Sequence, residues 1–374
     1  MKRLFKCIAP VLCLSLLSGC SSGSIYSNFR ETEQLMVVQT MGFDLSQKGF
    51  TVSVSTGGGD KIIRMAAEAK SIVLAEQKMQ DYSAAEEMFY AHTSYIAIGE
   101  DAARSGIDHY LDFIGRSTQM RMDTPLFVVT GGRASELVLG SGNEEYDATD
   151  VLKSLERNTK KRGDLRVFTA GEITAELDRN GSALICAVRC VGAKDSLYDS
   201  EDELTALPDG YAVIKNGKML GQISYHDALA VGLIQNEAGP CRLTVSGKDG
   251  SAALQLDDCS CEVKPQYENG RLTTVKVELT VRASLLERGG DTNLEAVTQS
   301  LKNDLALRLE NVLSLSKLTG CDFLQLGSML EAKQPFSAGV SGLDFQEKLS
   351  GVCFIINVSA EIDRSFDADR EDKA

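Results

Sequence analysis

Residues able to do chemistry are few and scattered. Cys20 follows Leu17-Ser18-Gly19, directly behind an apolar run. Seven more cysteines lie beyond it: Cys186, Cys190, Cys241, Cys259, Cys261, Cys321 and Cys353. None forms a C-x-x-C pair, and no four ligands share the spacing of a zinc site. Cys186, Val188 and Cys190 alternate with their neighbours, as do Cys259 and Cys261, so each set shares one face of a strand. They read as small buried hydrophobes; an odd count leaves at least one unpaired within the chain, and the disulfide state stays open. His92, His109 and His226 stand far apart. Paired acids occur at Glu86-Glu87, Glu144-Glu145 and Asp257-Asp258, all in polar surroundings that read as solvated surface. Arg116 and Arg121 flank Ser-Thr-Gln-Met and are expected to pair with nearby acids such as Asp112 or Asp123. The chain has no G-x-S-x-G, H-E-x-x-H or G-x-x-x-x-G-K-[ST] sequence, and Gly57–Gly59 lacks the lysine that a phosphate loop needs. No catalytic residue, metal ligand or cofactor site is therefore assigned.

The thiol of Cys20 is the exception. Lys2, Arg3 and Lys6 make a basic start, and Ile8 to Leu17 is apolar. That run is far shorter than the roughly 20 residues that cross a bilayer as a helix. A basic start, a short apolar middle and small residues at the end mark a secretory signal peptide over 1–19. Leu17-Ser18-Gly19-Cys20 resembles the lipobox of bacterial lipoproteins. The resemblance implies that Cys20 takes a diacylglyceryl group and becomes the mature N-terminus.

Charge narrows the partners. The chain carries 39 Lys and Arg against 53 Asp and Glu, a formal charge of −14. Residues 1–19 hold three of those cations and no acid, so their removal deepens the charge further. An acidic body excludes a nucleic-acid role, because phosphates demand Lys and Arg. It also argues against a polybasic membrane patch. Attachment then rests on lipid, and two acyl chains suffice for stable anchoring. No run of 18 apolar residues follows Cys20.

The elements that would position these residues fall into successive segments. Residues 20–34 are small and polar, a tether. Gln34–Asp44 and Gly49–Thr56 read as an antiparallel hairpin. Apolar spacing predicts a helix over 71–89, a strand over 94–100, a broken helical pair over 100–115, a strand over 125–131 and a short helix from Ala134. Alternating strands and helices suggest an α/β unit over 35–165. Residues 140–164 are polar, with a helical piece at 148–158 and a basic Lys160-Lys161-Arg162-Gly163 run. A strand-led middle unit is expected over 166–240, with hairpins at Asn180-Gly181 and Asn216-Gly217 and a helix over Tyr225–Gln235.

The segment 241–366 is the most legible. Val275, Val277, Leu279, Val281, Ala283 and Leu285 alternate with polar residues, as in a strand with one wet face. Asp291 or Thr292 is expected to cap a helix of about 25 residues carrying Leu294, Val297, Leu301, Leu305, Leu309 and Val312 on one face. A last strand presents Val352, Phe354, Ile356, Val358, Ala360 and Ile362. Residues 367–374 form a charged tail. The expected class is α/β (α+β): three domains with mixed, antiparallel-rich sheets covered by helices.

Four stretches, read in order, resemble the Ger(x)C lipoproteins, the C subunits of nutrient germinant receptors of spore-forming bacteria. They are FRETEQLMVVQTMGFD (29–44), AHTSYIAIGEDAARSGIDHYLDFIGRSTQMRMD (91–123), GYAVIKNGKMLGQIS (210–224) and CDFLQLG (321–327). The matching positions are Arg30-Glu31, Gly42-x-Asp44, Gly99-Glu100, Ala103-Arg104-x-Gly106-Ile107, and Arg116 with Arg121. Ser21 stands where many members carry Trp. The resemblance implies a non-catalytic, three-domain lipoprotein on the outer face of the spore inner membrane, anchored in the bilayer through Cys20. Its implied partners are multi-spanning receptor subunits. The alternatives are a solute-binding lipoprotein of a transporter, which the hairpins disfavour, and a lipid-anchored hydrolase, which lacks a nucleophile in context.

Overall fold

The computed structural model describes residues 35–57, 62–83, 87–140, 145–192, 204–247, 250–269, 271–289, 293–333 and 342–363. Cys20, the signal peptide, the tether, Arg30-Glu31, Glu86, Glu144 and the charged tail lie outside them.

The chain opens with β1 (Leu35–Val37), β2 (Thr40–Ser46), β3 (Gly49–Ser55) and β4 (Arg64–Ala69). The expected β2–β3 hairpin is present, paired antiparallel from Thr40 with Ser55 to Ser46 with Gly49. Helix α1 (Ile72–Ser83) buries Ile72, Ala75 and Met79. It ends sooner than its apolar spacing suggests. Met88 and Phe89 belong to β5 (Glu87–Phe89), which pairs in parallel with β1. A three-residue strand leaves too little alternation to be told from helical spacing.

β6 (Tyr95–Gly99) leads into α2 (Glu100–Ser105) and α3 (Asp108–Arg116), the broken pair. β7 (Leu126–Val129), α4 (Ala134–Leu139) and α5 (Ala148–Arg162) follow. Next comes α6 (Ala170–Asn180), where a hairpin at Asn180-Gly181 was expected. Thr169 accepts from the Glu172 N–H while Glu172 bonds back, a capping box. Gly181, at φ 64°, is the left-handed residue that closes the helix. The same dipeptide chemistry serves a hairpin or a helix end, because both require positive φ. At Asn216-Gly217 both residues are left-handed, φ 46° and 73°, and the hairpin forms.

β8 (Ser182–Val191), β9 (Thr205–Lys215) and β10 (Lys218–Ile223) complete an eight-stranded sheet of order β10-β9-β8-β7-β6-β2-β3-β4. Its centre, β2-β6-β7-β8, is parallel and its flanks are antiparallel. Its hydrogen bonding is continuous across residue 165. Every residue of β6 and β7 is buried, as are the first seven of β8. Helix-covered parallel strands have no wet face and so read as unbroken apolar runs.

Helix α7 (Tyr225–Gln235) ends this part, and a second sheet starts at β11 (Cys241–Gly247). β12 (Gly250–Glu268) and β13 (Arg271–Arg288) form a long antiparallel ribbon turned at Asn269, φ 51°. β13 buries Val275, Val277, Leu279, Val281 and Ala283, with Leu285 partly covered. Helix α8 (Leu294–Thr319) is capped by Asn293, whose side chain accepts the Glu295 N–H at 3.1 Å. Asp291 and Thr292, the expected caps, lie outside the described residues. Val297, Leu301, Leu305, Leu309 and Val312 are buried as their spacing predicts. α9 (Leu326–Lys333) and α10 (Gly342–Lys348) lead to β14 (Cys353–Asp363), which joins β13 in parallel at the sheet edge. A parallel return needs a long crossover, and α8 supplies it.

Candidate functional site

The motif residues of the sequence converge where the central parallel strands end. Asp44 closes the buried part of β2, and only 3% of it is exposed. Its two carboxylate oxygens accept the Ala134 and Ser135 N–H groups, each at 2.8 Å, at the start of α4. Arg133 stands 4.0 Å away. Gly99, at the end of β6, passes so close that an added Cβ would lie 2.2 Å from Asp44 Oδ1. Gly99 is thus needed for room.

Glu100, the next residue, accepts the Gly131 N–H at 2.6 Å and the Arg104 Nε–H at 2.8 Å. The Gly131 bond comes first in holding its carboxyl below the usual range, with Arg104 adding to it. Beside it, Thr130 Oγ1 donates to Asp209 at 2.7 Å, and Gln222 Nε2 donates to the same carboxylate at 2.8 Å. In open α/β sheets this crevice beyond the strand ends is where a ligand binds. Here two carboxylates of the chain already hold the backbone donors.

The other motifs are joints as well. Ile107 N–H donates to the Gly217 carbonyl at 2.7 Å, seating the Gly106-Ile107 turn on the β9–β10 hairpin. Lys215, in that hairpin, donates to the carbonyls of Thr319 at 3.1 Å and Gly320 at 2.6 Å, where α8 ends. Asp322 follows, fully buried, and accepts the Leu326 and Gly327 N–H groups at 2.9 and 2.8 Å. Burial pushes its carboxyl up to about 7, against the pull of those two bonds.

The remaining candidates are occupied. Arg116 pairs with Asp112 at 2.6 Å, and Arg121 Nε–H donates to Asp123 at 2.9 Å, as expected. Asp258 meets Arg282 at 2.7 Å, and Asp257 accepts the Ser284 hydroxyl at 2.6 Å. His109 lies against Phe50 and His92 against Phe89. His226 lies 3.2 Å from Asp227. The seven cysteines are free thiols. Burial pushes Cys190 and Cys241 up to about 12, and Cys259, Cys261 and Cys321 to about 11. A thiol so raised holds almost no thiolate at neutral pH, which makes it inert. Among the described residues no three His, Cys, Asp or Glu gather as metal ligands, and no helix is long and apolar enough to cross a membrane.

The sequence singled out Asp44, Gly99 and Glu100. It did not show their partners Gly131, Ala134 and Ser135, or the Thr130–Asp209–Gln222 link. The contacts span 13 to 91 positions, and only the fold closes them.

Two family models cover most of this architecture. Residues 28–189 match the spore germination protein N-terminal domain, and 209–365 match the spore germination B3/GerAC-like C-terminal domain. The chain belongs to the GerAC-like spore germination family. The division between the models falls between β8 and β9, which are neighbours in one sheet. A putative spore germination protein of Bacillus subtilis (strain 168), YfkR, is 22% identical over 303 residues, covering 76% of this chain and 75% of YfkR. The crystal structure of the GerBC protein superposes with a TM-score of 0.59 at 17% identity, covering 86% of this chain and 96% of that one. It shares this mixed, multi-sheet α+β fold.

Proposed function

We propose that this chain is the lipid-anchored, non-catalytic subunit of a nutrient germinant receptor. It is held on the outer face of the spore inner membrane by acyl chains on Cys20 and acts by docking on multi-spanning receptor subunits. Family membership over both matched segments carries this reading. The site chemistry supports it. The polar groups of the motifs are spent on joining β2, β6, α4, the β9–β10 hairpin and the α8 end into one framework. Anchoring confines chain and partners to one surface and raises their effective concentration. Such a body biases a membrane subunit only through contacts that differ between its resting and active states.

Deletion tests the reading. Spores lacking the chain should fail to germinate with the nutrient of the matching receptor and still respond through other receptors. An unchanged response to every nutrient would overturn it. Mass spectrometry of the mature N-terminus tests the anchor separately, and an unmodified Cys20 would remove it.

A further inference from the structure

The net charge of −14 hides a local reversal. On α5, Lys153, Arg157, Lys160 and Lys161 are exposed. They are spaced i, i+4, i+7 and i+8, so all four fall on one face of the helix. No ion pair links any of them to a described residue, whereas neighbouring Arg162 is paired with Asp164 at 3.1 Å. Asp150 is the acid on this face, one turn before Lys153. Glu156 flanks it, with its carboxylate taken by the Tyr95 hydroxyl at 2.8 Å. Cations in a last helical turn complement the helix dipole. That accounts for Lys160 and Lys161 but not for Lys153 and Arg157 in the middle of the helix.

The placement of α5 gives the stripe a direction. Thr149 bonds Thr40, the first residue of β2, at 2.8 Å, and Glu156 bonds Tyr95, the first residue of β6. The helix therefore lies across the N-terminal ends of the parallel strands. The chain enters the fold at this same end: Leu35 begins β1, five residues before Thr40. Residues 21–34 connect Cys20 to that point, and extended they reach at most about 50 Å.

We infer that the Lys153–Arg157–Lys160–Lys161 face of α5 rests on anionic lipid head groups and orients the body over the membrane. This rests on the anchored reading above for its geometry. Charge complementarity selects the occupant: an exposed basic stripe on an otherwise acidic body, beside the entry of the tether. Each Lys or Arg near an anionic leaflet strengthens association about fivefold, and salt screens the effect.

Residues 20–374 with Cys20→Ala keep every described residue and carry no acyl chain. Sedimentation with phosphatidylcholine vesicles, with and without phosphatidylglycerol, reads the stripe alone. Salt-sensitive binding to the anionic vesicles only is expected. Lys153→Gln, Arg157→Gln, Lys160→Gln and Lys161→Gln together should abolish it, and Arg157→Gln alone should weaken it about fivefold with the unfolding midpoint unchanged. Equal binding to both vesicles would overturn the inference. So would an equal loss on neutralising Lys48, Lys70, Lys78 and Lys218 instead, or a stripe variant that keeps vesicle binding but loses the receptor subunits. An unacylated Cys20 in spores would remove the anchor and leave the vesicle result standing, so the two failures are distinguishable.

Discussion

The two large sheets solve the burial problem differently. In the eight-stranded sheet, β6 and β7 are buried on both faces, and neighbours of either parity are core. In the four-stranded sheet, β13 buries Val275, Val277 and Leu279 while Lys276, Glu278 and Thr280 are only partly covered or exposed. The first pattern makes a two-sided core whose strand ends at Asp44, Glu100 and Thr130 are joints between elements. The second makes a one-sided plate covered by α8 together with α7 and α9. Motif residues accumulate at the first and at its junction with the second, and that is where the family resemblance was read.

The sharpest way to break this contrast is substitution by parity. Phe127→Ala and Val128→Ala, adjacent on β7, should both destabilise, the first by roughly 3–5 kcal/mol. Leu301→Ala or Leu305→Ala on α8 should cost roughly 2–5 kcal/mol, whereas Lys276→Ala or Glu278→Ala on β13 should stay within about 0.5 kcal/mol. Denaturant unfolding of each variant measures this. Equal losses at Val277 and Glu278 would erase the distinction between the sheets.

Asp44→Ala probes a joint. The buried Ala134 N–H would lose its acceptor at a cost of roughly 1–3 kcal/mol, and the part-buried Ser135 N–H would lose its own at a smaller cost. Asp44→Asn should recover part of the loss, since its amide oxygen still accepts one bond. If Asp44→Ala unfolds at the wild-type denaturant midpoint, the crevice is not held by that carboxylate.

Titration compares the regions again. Burial raises Glu76, in α1, to about 7 against the pull of its Tyr90 hydrogen bond, and raises Asp322 likewise. Between the ordinary carboxylate pKa and 7 the native state binds more protons than the unfolded one, so stability should fall as pH climbs through that window. Glu76→Gln and Asp322→Asn should each flatten the fall, as read by unfolding midpoints from pH 4 to 8. A slope unchanged in both would mean that neither carboxyl is raised.

The smallest effect is expected on the plate's wet face. Arg282→Ala or Asp258→Ala should cost at most about 1 kcal/mol, because an exposed pair is screened by water and salt.

The same contrast governs what the sequence disclosed. β13, α8 and the inward set of β14 were legible because one wet face leaves a period of two or 3.6. Helix α6 was misread because Asn180-Gly181 satisfies the turn rule; Thr169-x-x-Glu172 and the spacing of Ile173 and Leu177 held the contrary signal. Of β12 only the Cys259–Cys261 alternation stands out, since a bulge between Leu256 and Asp258 breaks the pattern of the full strand. Among site residues, Asp44, Gly99 and Glu100 stood out through the resemblance, and Asp112 and Asp123 as arginine partners through proximity. The donors facing Asp44 lie on α4, some 90 positions away, and no local pattern announces them.

The central claim is that the chain works by docking on membrane subunits. Affinity capture of the chain from detergent-solubilised spore membranes tests it most directly. The account predicts recovery of multi-spanning receptor subunits in near-stoichiometric amounts. Capture of the chain free of such subunits, together with tight binding of a nutrient amino acid by the purified chain alone, would contradict it.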